Sequence, residues 1–132
     1  MIVHAGDLTS VGFLEELQAL GPPVHAIHGN ADDAALRGLL PGEMVIEVDG
    51  ARVGLIHDPG KRDGREPRLL ARFPGCDAVV YGHTHLPQIE QHEGVWILNP
   101  GSPTERRRGP FRSMLLLHLA AGEIGPELIE LP

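Results

Sequence analysis

The chain has 132 residues, 42% of them hydrophobic and 22% charged, and a chain of this length is expected to fold as one domain, residues 1–132. Asp and Glu outnumber Lys and Arg by 18 to 11, and the resulting charge of −7 disfavours general binding to nucleic acids and to anionic membrane surfaces. The single cysteine, Cys76, excludes an internal disulfide, so we expect a cytoplasmic setting.

The first part of the chain predicts strands that alternate with helices. Residues 1–4 form a short apolar strand, and apolar residues spaced three apart between positions 11 and 20 predict an amphipathic helix. Residues 24–28 form a second apolar strand, and a short helix capped by Asp32 or Asp33 follows. This order of strand, helix and strand is typical of a parallel sheet.

A β-hairpin and a series of strands come next. Asp49 and Gly50 separate two β-rich segments within residues 43–57, and this pair is typical of a type I′ turn. Residues 66–73 predict a helix with proline in its first turn. The remaining predicted strands cover residues 78–81, 88–91, 95–99, 113–119 and 127–131. Strands first alternating with helices and then following one another predict an α/β fold of two packed sheets with helices outside.

Polar side chains that can bind a metal follow the apolar strands. They are Asp7, Asn30 with Asp32, His57, and His83 with His85. Open α/β sheets place ligands at the carboxyl ends of strands, and oxygen and imidazole donors suit a catalytic manganese, iron or zinc site. Taken singly, the two aspartates are more typical of helix caps, Asn30 of a turn and His57 of a surface histidine. Their occurrence at four strand ends favours a metal site.

Five short motifs carry a family resemblance. They are HAGD at residues 4–7, GNAD at 29–32, LIHD at 55–58, GHTH at 82–85 and NPGS at 99–102. In this order and spacing they resemble the calcineurin-like metallophosphoesterases, above all the small branch of bacterial and archaeal phosphodiesterases. The resemblance implies a four-layer α/β/β/α sandwich with two metal ions at the sheet edge. It also implies an enzyme that hydrolyses a small phosphoester substrate with a metal-activated water.

The resemblance also implies a role for each candidate ligand. Asp7 resembles the carboxylate that bridges both metal ions. Asn30, His57 and His83 resemble the other ligands of one ion, and His85 resembles a ligand of the second ion. We expect catalysis to depend on Asp7, Asn30 and His83, with manganese as the metal ahead of iron, zinc or nickel.

The N-terminus departs from the family pattern. Family members begin with an additional strand that ends in Asp-x-His and supplies two metal ligands, and this sequence has no Asp-x-His before Asp7. We therefore expect the first strand of the sandwich to be missing and the chain to be N-terminally truncated relative to the family. One metal site is then well formed, whereas the other keeps only Asp7 and His85. The strand edge left bare at residues 1–5 predicts either a homo-oligomer formed through that edge or a fold of lower stability than one with the strand present.

Position 31 departs as well. Many relatives carry a histidine there that helps to protonate the leaving group, which Ala31 cannot do. The sequence then favours substrates with good leaving groups, or another acid such as His4 or His28, although both histidines are more typical of ordinary strand residues. Asp32 resembles a residue that orients a ligand or its loop. The three arginines within residues 105–109 match phosphate oxygens but are more typical of a solvated loop.

Two functions follow from these observations. The first is a metal-dependent phosphoesterase, specifically a phosphodiesterase. The alternative is a non-catalytic binding or scaffold protein on the same fold with an incomplete metal site, as in a retromer subunit of this family. Every expected ligand downstream of the missing strand is present, and this favours the enzyme because gradual loss of a site would remove ligands throughout.

Overall fold

The computed structural model describes all 132 residues, which form three helices and nine strands. The helices are α1 (Val11–Ala19), α2 (Ala34–Leu39) and α3 (Arg65–Arg72). The strands are β1 (Ile2–His4), β2 (Val24–Ala26), β3 (Glu43–Val48), β4 (Ala51–Ile56), β5 (Ala78–Tyr81), β6 (Gln88–His92), β7 (Val95–Asn99), β8 (Arg112–Ala120) and β9 (Glu123–Leu131). None of the helices combines the length and the apolar character needed to cross a lipid bilayer.

The predicted elements are confirmed, and local chemistry sets their ends. The Ser10 hydroxyl accepts a hydrogen bond from the Phe13 amide at 3.1 Å and starts α1. Asp33, rather than Asp32, caps α2 by accepting from the Leu36 amide at 3.0 Å. The hairpin turn has positive φ at both central residues, 49° at Asp49 and 81° at Gly50, as a type I′ turn requires. Strand β9 starts four residues earlier than residue 127 because it pairs with β8 along its full length.

The strands form one large sheet and two small ones. The five-stranded sheet has the order β3-β4-β5-β7-β6, in which β4, β5 and β7 are parallel and the two edge strands are antiparallel to their neighbours. Strands β1 and β2 form a parallel pair, and β8 and β9 form an antiparallel pair. The expected parallel pairing of the first two strands is therefore confirmed.

Packing arranges these sheets and helices in four layers. The β8-β9 pair contributes apolar residues such as Leu115, and the segment after β2 contributes Ile27, to the core on one face of the five-stranded sheet. Helix α3 packs Leu69 and Phe73 on the opposite face, and α1 and α2 cover the β1-β2 pair. Successive residues of β5 point to opposite faces, so that Val80 belongs to the first core and Val79 to the second. The α/β/β/α sandwich is confirmed, with its second layer divided into two separate pairs of strands.

Candidate metal centre

The carboxyl ends of four strands bring four predicted ligands together. Asp7, Asn30, His57 and His83 follow β1, β2, β4 and β5 respectively. The Asn30 oxygen Oδ1 lies 2.8 Å from His57 Nε2 and 3.0 Å from His83 Nδ1. Asp7 Oδ2 lies 3.3 Å from the same His57 nitrogen. Residues that are distant in sequence therefore form one compact cluster of oxygen and nitrogen donors.

His57 is oriented so that its Nε2 atom faces the side-chain oxygens of Asn30 and Asp7. His57 is buried, and its Nδ1 lies 2.6 Å from the Ala5 carbonyl oxygen. Because a carbonyl only accepts hydrogen bonds, Nδ1 carries a proton, and in the neutral tautomer that this contact selects Nε2 presents a lone pair. This lone pair faces the side-chain oxygens of Asn30 and Asp7, which are themselves acceptors. A cation between these atoms satisfies all three, so the cluster fits a metal ion.

The proposed donor set depends on the Asn30 amide. No group of three or more His, Cys, Asp or Glu side chains in the chain is arranged to hold a metal ion. The set therefore comprises one carboxylate, one amide and two imidazoles. Imidazole donors favour a transition metal over Ca²⁺ or Mg²⁺, which prefer oxygen ligands throughout.

Three of the predicted ligands have an unusual backbone conformation. Asp7, His83 and His85 have φ values of 61°, 66° and 60°. Residues other than glycine rarely adopt this left-handed region, and such conformations occur most often at functional sites. Each loop therefore holds its ligand in a conformation that residues other than glycine rarely adopt.

Glycines next to the ligands allow the loops to approach one another. A Cβ atom at Gly29 would collide with the Asp7 carboxylate. A Cβ atom at Gly82 would lie 2.8 Å from the Ala5 carbonyl oxygen and 3.2 Å from His57 Nδ1. Only glycine fits at either position, which gives a physical reason for glycine in the GNAD and GHTH motifs.

Asp32 connects the two loops that carry Asp7 and Asn30. It is 5% exposed, and its carboxylate accepts from the backbone amides of Asp7 at 3.0 Å, Thr9 at 2.7 Å and Gly29 at 2.7 Å. In the same region the Ala31 amide donates to Asp7 Oδ1 at 2.8 Å. Neither Asp7 nor Asp32 caps a helix, because the caps are other residues. The contacts of Asp32 fix the position of the Asp7 loop.

A cavity of about 460 Å³ opens beside the cluster. It is lined by Asp7, His57, His83 and His85, together with residues of the segment that connects β7 to β8. His85 stands apart from the four-donor cluster, since its Nδ1 lies 2.5 Å from the carbonyl oxygen of Glu105. The structure thus brings four of the predicted ligands into mutual contact and places the fifth on the same cavity wall.

The two other histidines considered as acids occupy different environments. His4 lines the cavity, its ring packs edge-on against Phe13, and its Nδ1 is buried without a hydrogen-bond partner. Burial lowers the pKa of His4, against the attraction of Asp32 and Asp7. His28 does not line the cavity. Of the two, only His4 is in a position to meet a molecule in the cavity.

Asn99, the last residue of β7, was not among the predicted site residues. Its side chain is fully buried, and its Nδ2 donates to the Gly82 carbonyl at 3.1 Å and to Thr84 Oγ1 at 2.9 Å. Its Oδ1 accepts from the Gly101 amide at 2.8 Å. Asn99 therefore links the loop that carries His83 to the loop that follows β7. A polar residue that ends an apolar strand immediately before Pro-Gly is the sequence feature that could have indicated this.

Comparison with protein families matches residues 1–122 to the calcineurin-like phosphoesterase superfamily domain. The chain is 38% identical over 133 residues to a protein of Methanothermobacter thermautotrophicus named "probable metallophosphoesterase", covering 98% of this chain and 74% of that protein. It is 35% identical over 120 residues to a protein of Methanocaldococcus jannaschii with the same description, covering 89% of this chain and 59% of that protein.

Two solved structures illustrate the range of proteins that share this fold. A single mutant of Vps29 from Entamoeba histolytica superposes with a TM-score of 0.76 at 23% identity, covering 98% of this chain and 81% of that one. A structure described as a novel archaeal phosphodiesterase superposes with a TM-score of 0.74 at 21% identity, covering 96% of this chain and 81% of that one. At these identities the two structures establish similarity of fold alone.

Proposed function

Because the chain belongs to the calcineurin-like phosphoesterase superfamily, we propose that it is a metal-dependent phosphodiesterase that hydrolyses a P–O bond of a small phosphoester. The observation that carries this proposal is the cluster around His57 Nε2, in which the Asp7 and Asn30 oxygens meet a nitrogen lone pair. This architecture is compatible with a diester substrate, since a structure of similar fold is described as an archaeal phosphodiesterase. We propose manganese as the metal, ahead of iron, zinc or nickel.

Asp7, Asn30, His57 and His83 would hold one metal ion, and Asp7 with His85 would contribute to a second. A bound pair of metal ions would lower the pKa of a water molecule and polarise the phosphoryl group for in-line attack. The chain itself orients the donors: the Ala5 carbonyl fixes the His57 ring, and Asp32 fixes the backbone around Asp7. Both contacts hold the donors in place before any ligand binds.

Neither Ala31 nor His4 is suited to protonate a leaving group. The methyl group of Ala31 has no proton to give, and burial lowers the pKa of His4, which disfavours the imidazolium form that a general acid needs near neutral pH. We therefore propose that the substrates carry leaving groups that depart as stable anions. Aryl phosphodiesters meet this requirement.

The test is the hydrolysis of bis(p-nitrophenyl) phosphate in the presence of Mn²⁺. We expect measurable turnover that falls by about a thousandfold or more, to background, in Asp7→Ala and in His83→Ala, because loss of metal-based activation costs several kcal/mol. His118→Ala is the matched control, since this histidine lies exposed on β8 and does not line the cavity. Equal activity in all four proteins would contradict the proposed function.

Metal content separates the enzyme from its alternative. After dialysis, we expect elemental analysis to find roughly one ion per chain, because four donors suffice to hold an ion and two rarely do. A chain that retains no metal and has no activity would instead be a binding or scaffold protein on this fold. Two tightly held ions would contradict the expectation that only one site is well formed.

A further inference from the structure

The loop that connects β7 to β8 brings positive charge to the cavity. Three consecutive arginines, Arg106 to Arg108, lie in this loop of a chain whose net charge is −7. Of the three, only Arg107 lines the cavity that also contains Asp7 and His83. Glu105 lines the cavity as well. The charged part of the loop therefore borders the space beside the proposed metal site.

Hydrogen bonds hold the loop in a defined conformation. Ser102 Oγ accepts from the Glu105 amide at 3.1 Å, and the Ser113 amide donates to the Ser102 carbonyl at 2.9 Å. The Gly109 amide donates to the Arg106 carbonyl at 2.6 Å and closes a tight turn. Arg107 is the second residue of this turn and has φ of 47°. Its Cα is thus held beside the cavity by a loop that is attached to β8.

The guanidinium of Arg107 remains available to a ligand. Arg106 donates to the Pro110 carbonyl at 3.0 Å and does not line the cavity. The contact of Arg107 Nε with Glu105 Oε2 is 3.9 Å long, and both side chains are more than half exposed. A contact of this length is not a hydrogen bond, and exposed ion pairs contribute little. The planar donor group of Arg107 can therefore bind oxygens of an anion in the cavity.

The same loop also supports the predicted ligand His85. The Glu105 carbonyl lies 2.5 Å from His85 Nδ1. The loop that carries Arg107 is therefore in contact with a predicted metal ligand. Glu105 contributes a negative charge to this wall. A carboxylate beside the bound anion repels a doubly charged anion more than a singly charged one, and because Glu105 is 73% exposed, solvent screening limits this discrimination to a small factor.

We propose that Arg107 binds a non-bridging phosphoryl oxygen of the substrate and that the neighbouring Glu105 carboxylate disfavours doubly charged substrates. The pair thereby selects phosphodiesters, which carry one negative charge, over phosphomonoesters, which carry two. This inference rests on the proposed function, because it names the substrate class of the same site. It assigns a role in substrate binding to the loop that connects β7 to β8.

The first measurement is the binding of diphenyl phosphate, a singly charged diester, to the purified chain by titration calorimetry. We expect Arg107→Ala to weaken binding about tenfold, as the loss of a charge-assisted hydrogen bond implies. Arg107→Lys keeps the charge but loses the two-pronged geometry, so its affinity should fall between the two. Arg108→Ala is the control from the same turn and should bind as the wild type does. Equal losses in Arg107→Ala and Arg108→Ala, or no binding to the wild type, would overturn the proposal.

The second measurement concerns charge selection. Glu105→Gln should raise kcat/KM for p-nitrophenyl phosphate relative to bis(p-nitrophenyl) phosphate by a few fold, because it removes a repulsive charge while its backbone carbonyl stays in place. An unchanged ratio would overturn the role of Glu105. A wild-type chain that binds diphenyl phosphate through Arg107 but hydrolyses nothing would contradict the proposed phosphodiesterase function and leave the binding role of Arg107 supported.

Discussion

At the scale of single residues, Asp32 stabilises the backbone around the site, a role that its position in the GNAD motif does not indicate. Replacement by alanine leaves the amides of Asp7, Thr9 and Gly29 without their acceptor, in a buried contact at Gly29 and in partly buried ones at the other two. An unpaired buried group costs about 1–3 kcal/mol and a partly buried one less, so we expect Asp32→Ala to reduce the free energy of unfolding by about 3 kcal/mol. Urea denaturation measures the loss. The control Asp33→Ala removes one helix cap and should cost only about 1 kcal/mol; equal effects would contradict this account.

His4 makes the stability of the fold depend on pH. Burial lowers its pKa in the folded chain below the ordinary value of 6.5. As the pH falls through 6.5, His4 of the unfolded chain binds a proton, whereas His4 of the folded chain does not. The free energy of unfolding therefore decreases below about pH 6.5 and is unaffected by His4 well above it. We expect His4→Gln to lose less stability than the wild type between about pH 7.5 and about pH 5.5. Urea midpoints at both pH values measure this, and parallel losses in the two proteins would refute it.

At the scale of secondary-structure elements, the packing of α3 on the large sheet depends on a glycine in β4. A Cβ atom at Gly54 would lie 2.6 Å from Phe73 Cγ and Cδ1. We expect Gly54→Ala to destabilise the chain by about 1–3 kcal/mol, since the aromatic ring must move. Gly38→Ala in α2 is the matched control, because nothing lies within 4 Å of the added atom and alanine favours helix by about 1 kcal/mol. Thermal melting should shift in opposite directions.

How well each element could be predicted depends on how local its cause is. The turn at Asp49-Gly50 and the cap of α2 arise from neighbouring residues, and the sequence indicates both. The meeting of Asp7 with His57 could be anticipated because parallel strands end at one edge of a sheet. The contacts of Asp32 and Asn99 could not, because each joins loops that are far apart in sequence. The position of Arg107 on the cavity is equally non-local, since it depends on how the loop after β7 is attached to β8.

At the scale of the whole molecule, the second layer leaves a strand edge open. Strand β1 bonds to β2 on one side and to no other strand, and Met1 and Val3 are 54% and 39% exposed. An open edge with exposed apolar side chains is a template for pairing with another chain. The net charge of −7 opposes such pairing, because two copies of the chain repel each other at low ionic strength.

These two effects predict self-association that increases with salt. At about 0.05 M salt the repulsion acts over more than 10 Å, whereas at about 0.5 M it is screened within about 4 Å, so that edge pairing of β1 is opposed less strongly. We expect light scattering to detect larger species at the higher salt concentration. Val3→Lys should abolish them, because a lysine on a strand edge carries charge into any paired sheet. The control Leu39→Lys replaces an apolar residue of α2 that is 61% exposed and lies on no strand edge, so it should associate as the wild type does. Loss of association in both variants would mean that general surface charge, and not the β1 edge, controls it.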